Sequence, residues 1–554
     1  MNPSVRESSP IIVDYPNLNV LVVDDSPQAR GFWFPHLNTL GIEKVSWAHG
    51  PSEAISQLKA NEFDLILLEY DLQYGQGGIA LLEKLRNSNL IPSITALILV
   101  TTEQRYDRVM SAMEFTPDDY IVRPFSLQIL HGRLDRVLYR KKCLATIYGA
   151  MQKQSYEQAL NACDQVVALL PAYQHEALKI KGDILMLTGR YEDAERFYSD
   201  LKTERTWPWV KLGWAKALYQ MQNFKKASDI LNQLITEHIA YIEAYDWMAK
   251  VQQSLNDVQG AQRILERAAL RSPRALKRQR SLGRLAFENQ DWDTAEKALS
   301  RVLEVGSETG CLETGDFMRL SKVHWSQGNL EAARAVIQEG TRMLPATAEL
   351  QVCESVMNAR LAMQQGDFDI AADCLQNASR AFPEMEVPPV ELSIDLLNAA
   401  LEQNDQALAQ SVAQTLLQNH HDNSKVINAV ETAFASVGQV DTAQALINES
   451  TQEIIAQNNL AVQKVKQGLY MEAIETLLTT LERFPANRVL NLNAARSILL
   501  WVKHNPQAGK NNYLLEVGES CLGRVRDQSP DHSELMKLEL QYRGLAQQGG
   551  RRAG

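Results

Sequence analysis

No run of this 554-residue sequence approaches the roughly 20 consecutive apolar residues that a membrane-spanning helix requires. Gly and Pro are not enriched, at 28 and 19 residues, so no long region is expected to be a flexible linker. Cysteine is scarce. The six residues Cys143, Cys163, Cys311, Cys353, Cys374 and Cys521 form no Cys-x-x-Cys pair, and no His pair stands at ligand spacing beside them. That pattern excludes a disulfide framework and a zinc ribbon, and predicts reduced, mostly buried thiols. Positive charge is in deficit, with 56 Lys and Arg against 67 Asp and Glu, for a net charge of −11. An acidic chain repels phosphate backbones, so nucleic acid is not the expected partner. Residues 1–17 are polar, with Pro10 and Pro16, and lack the apolar core of a signal peptide. No P-loop, dinucleotide fingerprint or nucleophile–base constellation is present. These absences predict a cytoplasmic protein that is neither an enzyme nor a membrane protein.

What is there divides in two, as expected of a chain too long for one hydrophobic core. From Asn19 to about Lys142, short apolar runs alternate with amphipathic stretches. The runs are Val20–Val23, Leu65–Leu68, Ala96–Val100 and Tyr120–Val122, and the stretches include Ser52–Ala60 and Ile79–Arg86. Apolar strands separated by helices imply a parallel sheet covered on both faces, with function at the carboxyl ends of its strands. Those ends carry Asp24 and Asp25, Glu69, Thr101 and Thr102, and Arg123 followed by Pro124 and Phe125. Carboxylates converging on one crevice repel one another unless a hard cation or a basic side chain neutralises them.

The strings VLVVDD, DLILLEYDL, ILVTTE and DYIVRPFS resemble the receiver domain of two-component response regulators, over roughly residues 18–140. The resemblance implies a doubly wound, flavodoxin-like α/β domain with a five-stranded parallel sheet. It also implies that Asp24 and Asp25 match the acidic pair that binds magnesium, with Asp71 adding a backbone carbonyl. Thr101 matches the hydroxyl that bonds the phosphoryl group, and Tyr120 matches the aromatic switch. Two matches fail. Glu69 stands where the family has its phosphoacceptor Asp, and Arg123 stands where it has Lys. Glu carries its carboxylate one methylene further into the crevice, which misplaces the attacking oxygen for in-line transfer. Arg can meet a carboxylate bidentately, so a Glu69–Arg123 pair could replace the phosphoryl–Lys contact. Two readings stay open: a pocket held near its active-like state, and a degenerate fold kept for docking. Phosphorylation of Asp71 is disfavoured by its place beyond the strand end.

From about Ser126 the pattern is helical. Leu127–Tyr148 reads as the last helix of the first domain running into a connector. Its Arg133, Arg136, Arg140, Lys141 and Lys142 read as a solvated face. A large residue then recurs with Ala three positions on: Tyr156/Ala159, Tyr191/Ala194, Phe224/Ala227, Val258/Ala261, Trp292/Ala295, Leu330/Ala333, Phe368/Ala371, Val440/Ala443 and Tyr470/Ala473. A weaker copy centres on Ala409. The period of about 34 residues is that of tetratricopeptide repeats. Small residues nine before the large one (Gly182, Ala215, Ala249, Gly283, Ser321, Ala359) suit close helix packing. Turn residues such as Gly189 and Gly328, and prolines such as Pro171 and Pro485, punctuate the copies. Lengthened loops are expected at Cys311–Gly315 and Glu384–Pro389.

The predicted layout is a polar segment 1–17, a receiver over 18–140, an all-α superhelix of about nine to eleven helical hairpins over 141–545, and a disordered tail 546–554. Such arrays bind peptides or proteins along a groove. The cluster Arg271, Arg274, Lys277, Arg278 and Arg280 is the candidate charged surface in it, suited to an acidic peptide, with a solvated helix face as the plainer alternative. Trp209, Trp214, Trp247 and Trp325 read as core. His420-His421 reads as part of a polar loop and not as a metal pair. Magnesium is the one cofactor implied. The function read from the chain is a signalling adaptor. A conventional phosphorylation-dependent regulator and a self-assembling structural protein are the alternatives.

Overall fold

The computed structural model describes residues 13–70, 72, 77–87, 90–102, 114–201, 207–529, 532, 534–539 and 541–542. Most of the polar leader, Asp71 and the terminal tail lie outside these residues. The chain divides into two compact units, Met1–Leu312 and Glu313–Gly554.

The first unit opens with a five-stranded, all-parallel sheet in the order β2-β1-β3-β4-β5. The strands are β1 (Asn19–Val23), β2 (Lys44–Ala48), β3 (Leu65–Glu69), β4 (Ala96–Thr101) and β5 (Asp119–Val122). β1, β3 and β4 are apolar runs because they are covered on both faces. One face carries Val20, Val22, Leu65, Leu67, Ile98 and Val100 against helices α1 (Ala29–Thr39) and Leu127–Cys143. The other carries Leu21, Val23, Ile66, Leu68, Leu97 and Leu99 against α2 (Pro51–Ala60) and α3 (Gly78–Asn87). β2 was absent from the apolar runs because it is an edge strand, with Val45, Ser46 and Trp47 only partly buried. Beyond the carboxyl edge the ladder continues. Asp24 N donates to Ala48 O (3.1 Å), Tyr70 N to Val100 O (2.9 Å) and Arg123 N to Thr101 O (2.7 Å). These bonds draw Asp24, Glu69, Thr101 and Arg123 to one rim.

The helix after β5, α4, ends at Cys143; Arg136 and Lys142 on it are exposed, as expected of a solvated face, but Lys141 is buried and several of the basic residues also pair with carboxylates. Arg133 and Arg136 take the two oxygens of Asp119 at 2.8 and 2.6 Å. Arg140 meets Asp118 at 3.0 Å, and the buried Lys141 donates to Ser93 O at 2.8 Å. A separate helix, Ala145–Gln152, follows and opens the first hairpin.

Five helical hairpins complete the first unit, from Ala145–Gln152/Tyr156–Leu169 to Leu276–Glu288/Trp292–Thr309. The alanines that recur in the sequence are the packing points. Ala159, Ala194, Ala227, Ala261 and Ala295 are wholly buried, as are Ala333, Ala371, Ala409 and Ala473 in the second unit. Gly182 is required by close approach, since a Cβ there would fall 2.4 Å from the Tyr198 hydroxyl. Between the paired helices one residue takes a positive φ, as at Gly189, Gln222, Asn256, Gln290, Gly328 and Asn404. It reverses the chain so that the next helix packs back on the last.

The second unit holds six hairpins if the 27-residue helix Val440–Lys466 is counted in two of them. The sequence shows the reason for that fusion: Ala443 and Ala473 are only 30 residues apart, and the stretch between 455 and 466 offers no Gly or Pro to turn the chain. Of the two expected loops, Cys311–Gly315 is partly helix, because Thr314 and Gly315 open the helix Thr314–Ser326. Trp292–Thr309 runs 18 residues before Gly310 ends it in the left-handed conformation. Among the described residues, no helix is long and apolar enough to cross a membrane.

Candidate functional site

At the rim, Arg123 forks between two carboxylates. Its Nη2 donates to Asp24 Oδ2 at 2.8 Å, and its Nη1 lies 3.0 Å from Glu69 Oε2. The expected bidentate Glu69–Arg123 pair is therefore corrected: the guanidinium is shared, because Asp24 on the neighbouring strand competes for its second nitrogen. Asp24 is 2% exposed and Glu69 8% exposed. The indole of Trp33 donates to the same Asp24 oxygen at 3.2 Å, and the Ser26 amide donates to the other at 3.0 Å. Glu69 Oε1 accepts from the Tyr70 amide at 3.1 Å.

The arginine is capped by aromatic rings that sequence reasoning missed. Its guanidinium carbon lies 4.7 Å from the Phe32 centroid and 5.3 Å from that of Trp33. Phe32 in turn meets Phe125 edge-on at 5.4 Å. A guanidinium packed over aromatic rings and paired with carboxylates engages its π face as well as its N–H edge. The only sequence signal was the aromatic density of residues 32–34, which begins seven residues beyond the acidic pair.

Thr101 is fully buried at the end of β4, and Asp25 is half-buried. Tyr120 is half-buried against the cluster that holds Leu97, Leu99 and Phe115. Asp71 lies outside the described residues, so its place in the pocket is not part of this geometry. The described donors do not fit a magnesium ion. The space between Asp24 and Glu69 is taken by a guanidinium, and the Asp24 oxygens already accept three hydrogen bonds. Among the described residues no cluster of three or more His, Cys, Asp or Glu could hold a metal.

The basic cluster of the repeats is dispersed among internal partners, a correction to the picture of one open cationic surface. Arg278, 5% exposed, binds Asp246 through Nε and Nη2, both at 2.8 Å. It also binds Glu114 of the sheet domain through Nη2 at 3.0 Å and Nη1 at 3.2 Å. Arg274 pairs with Glu308 at 2.6 Å, Arg280 donates to Cys311 O at 2.7 Å, and Arg271 donates to Arg267 O at 2.7 Å. Lys277 lines a cavity beside them. His420 is also corrected: it ends a helix and is buried, with His421 bonded to Asn487 Nδ2 at 3.0 Å. Trp209 packs in the first hairpin cluster and donates to His175 at 2.7 Å, and Trp214 donates to Glu195 at 3.0 Å. Trp247 is likewise packed, against Tyr219, and Trp325 lies under Arg360.

A parallel sheet with a charged crevice at its carboxyl rim, joined to stacked helical hairpins, defines a signal-receiving module on a repeat array. Residues 20–135 match the family model of the response regulator receiver domain. Residues 144–207, 248–308 and 356–424 match that of the tetratricopeptide repeat. Through its first domain the chain belongs to the response regulator receiver family, and tetratricopeptide repeats follow. Chemotaxis protein CheY1 of Helicobacter pylori is 34% identical over 121 residues, which are 22% of this chain and 97% of that protein. Chemotaxis protein CheY-3 of Vibrio cholerae is 27% identical over 124 residues, 22% of this chain and 94% of its own. A tetratricopeptide repeat protein of known structure from Parabacteroides merdae aligns over 47% of this chain and 98% of its own, at 15% identity and a TM-score of 0.28.

Proposed function

We propose that this protein is a non-catalytic signalling adaptor whose receiver works without phosphorylation and whose repeats hold protein partners. One observation carries the reading: Arg123 bridges Asp24 and Glu69 where a phosphorylated receiver would hold a metal and a phosphoryl group. A guanidinium supplies the charge that the metal would supply, and it is tethered, so no ligand need bind. Glu69 takes the place of the phosphoacceptor, with its oxygens committed to Tyr70 N and Arg123. Neither oxygen is placed for in-line attack on a phosphodonor. The aromatic cap of Phe32 and Trp33 favours a maintained pocket over a decayed one, because it stabilises the charged form of Arg123 specifically. Tetratricopeptide repeats generally mediate protein–protein interactions, and the described hairpins, five in the first unit and six in the second, offer surfaces for them.

The test is incubation of the full chain with a small phosphodonor and Mg²⁺, followed by intact-mass measurement. The expected result is no phosphoryl adduct. An adduct that maps to Glu69 or Asp71 would make the protein a conventional phosphorylated regulator.

A further inference from the structure

Within the first unit the receiver touches the repeats at a buried ionic contact. Glu114 lies in the turn before β5, where Thr116 has a positive φ and its carbonyl accepts from Arg86 at 2.7 Å. Its carboxylate receives both terminal nitrogens of Arg278 and the hydroxyl of Ser272. Ser272 is fully buried, and the Arg278 side chain is 3% exposed against 26% for Glu114. A second contact, Gly77 N to Thr309 O at 3.1 Å, sits nearby.

The asymmetry of exposure decides what this contact is. Arg278 and Ser272 belong to the floor of the repeats, and Glu114 is the partly wet group laid on them. If the receiver edge lifts, Asp246 and the Ser272 carbonyl remain on Arg278, but the guanidinium and the Ser272 hydroxyl each lose the Glu114 carboxylate. Buried donors left without acceptors are costly, so the floor selects for another carboxylate. Beside it is a cavity of about 540 Å³. Its lining has five cations (Lys250, Arg274, Lys277, Arg278, Arg280) and two carboxylates (Glu114, Asp246), and Glu308 pairs with Arg274 from outside it, which leaves an excess of two positive charges. Phe115, Leu265 and Val305 add apolar wall.

We propose that this face of the repeats binds an acidic, partly apolar segment of a partner protein, and that Glu114 is the stand-in for that segment within the chain. The receiver edge and the partner then compete for Arg278 and Ser272, so the partner binds only the fraction of molecules with the edge lifted. This rests on the reading of the repeats as a protein-binding array, and it adds the class of partner and the site. Burial opposes the charge on Arg278, but Asp246 and Glu114 more than offset it and hold its pKa above the ordinary value.

The test is fluorescence anisotropy of a labelled peptide of alternating glutamate and leucine on the full chain. Glu114→Ala should bind it about tenfold or more tightly than wild type, because a competitor has been removed. Ser272→Ala in that background should weaken binding. So should the pair Arg278→Gln with Asp246→Asn, which removes both charges and leaves no buried carboxylate unpaired. Equal affinity in Glu114→Ala and wild type, or binding that survives the Arg278 and Asp246 changes, would overturn the proposal. Equal binding of a glutamine–leucine peptide would overturn the ionic assignment and leave the array a protein binder. Preferential binding of an oligouridylate would overturn the peptide assignment. None of these outcomes depends on whether the receiver accepts phosphate.

Discussion

Arg123 donates to Asp24 with one nitrogen and faces Glu69 with the other, so each substitution in the trio has its own cost. Arg123→Ala leaves two buried carboxylates with no cation between them, and it is expected to destabilise the receiver by about 3–5 kcal/mol. Arg123→Lys keeps a charge but cannot fork or stack on Phe32 and Trp33, and it should cost less. Glu69→Gln leaves the Asp24–Arg123 bond intact and should cost least, about 1–3 kcal/mol. Urea unfolding of the three variants gives the order directly. An Arg123→Ala variant no less stable than Glu69→Gln would refute the fork. A double-mutant cycle on Arg123 and Glu69 should show a coupling of about 0.5–3 kcal/mol, and zero coupling would mean the pair act independently. At this scale the sequence revealed which residues reach the rim, because strand ends and the family resemblance name them. It could not reveal how Arg123 divides its nitrogens. That depends on the separation of β1 and β3 at their carboxyl ends, where Asp24 is as near as Glu69. Nor could it reveal the partner of Glu114, which is 164 positions from Arg278 in the chain.

Among the elements, β1, β3 and β4 were legible because burial on both faces makes them unbroken apolar runs, and the edge strand β5 was legible from its short run Tyr120–Val122 although it buries only alternate residues. β2 was not, since an edge strand needs no such run. The hairpins were legible because one buried Ala and one turn recur with each copy. The copies at Val440/Ala443 and Tyr470/Ala473 were legible as well, but not the single helix Val440–Lys466 between them, where the turn is missing. That helix joins two cores. Ile447 packs with the cluster built from Val352 to Phe434, and Ile454 and Ala461 pack with the cluster built from Ala473 to Tyr542. Ile455 is 47% exposed, so a change there disturbs the backbone more than the packing. Ile455→Pro removes a helix hydrogen bond and clashes with the preceding turn, at a cost of about 3 kcal/mol or more. Hydrogen exchange of the full chain should then quicken across 440–466, and unfolding of the two cores should separate. Unchanged protection there would show that the long helix does not couple them.

Across the whole molecule, buried titratable groups set the response to acid. In the second unit burial pushes His420 below its ordinary pKa, with Asp422 opposing and Arg488 and His421 assisting. His421 is lowered by burial in the same way. The unfolded chain therefore binds protons that the folded chain refuses. His420 contributes its full stability above about pH 6.5, and loses it as pH falls toward the depressed folded value, at up to about 1.4 kcal/mol per pH unit for its one proton. Denaturation midpoints of the second unit should fall between neutrality and about pH 5, and His420→Gln should flatten that fall. A midpoint that rises with acid would reverse the assigned sign. The central claim for the whole molecule is that the receiver carries its own cation and acts without a phosphoryl group. The most direct measurement is titration of Mg²⁺ and then beryllofluoride into the full chain, followed by NMR of the receiver amides, with the Glu69→Asp/Arg123→Lys variant alongside. The account predicts no beryllofluoride response in the wild type, and a Mg²⁺-dependent response in the variant, whose pocket has regained the residues that phosphorylated relatives use. A Mg²⁺-dependent beryllofluoride response of the wild-type amides around Glu69, Thr101 and Arg123 would contradict it.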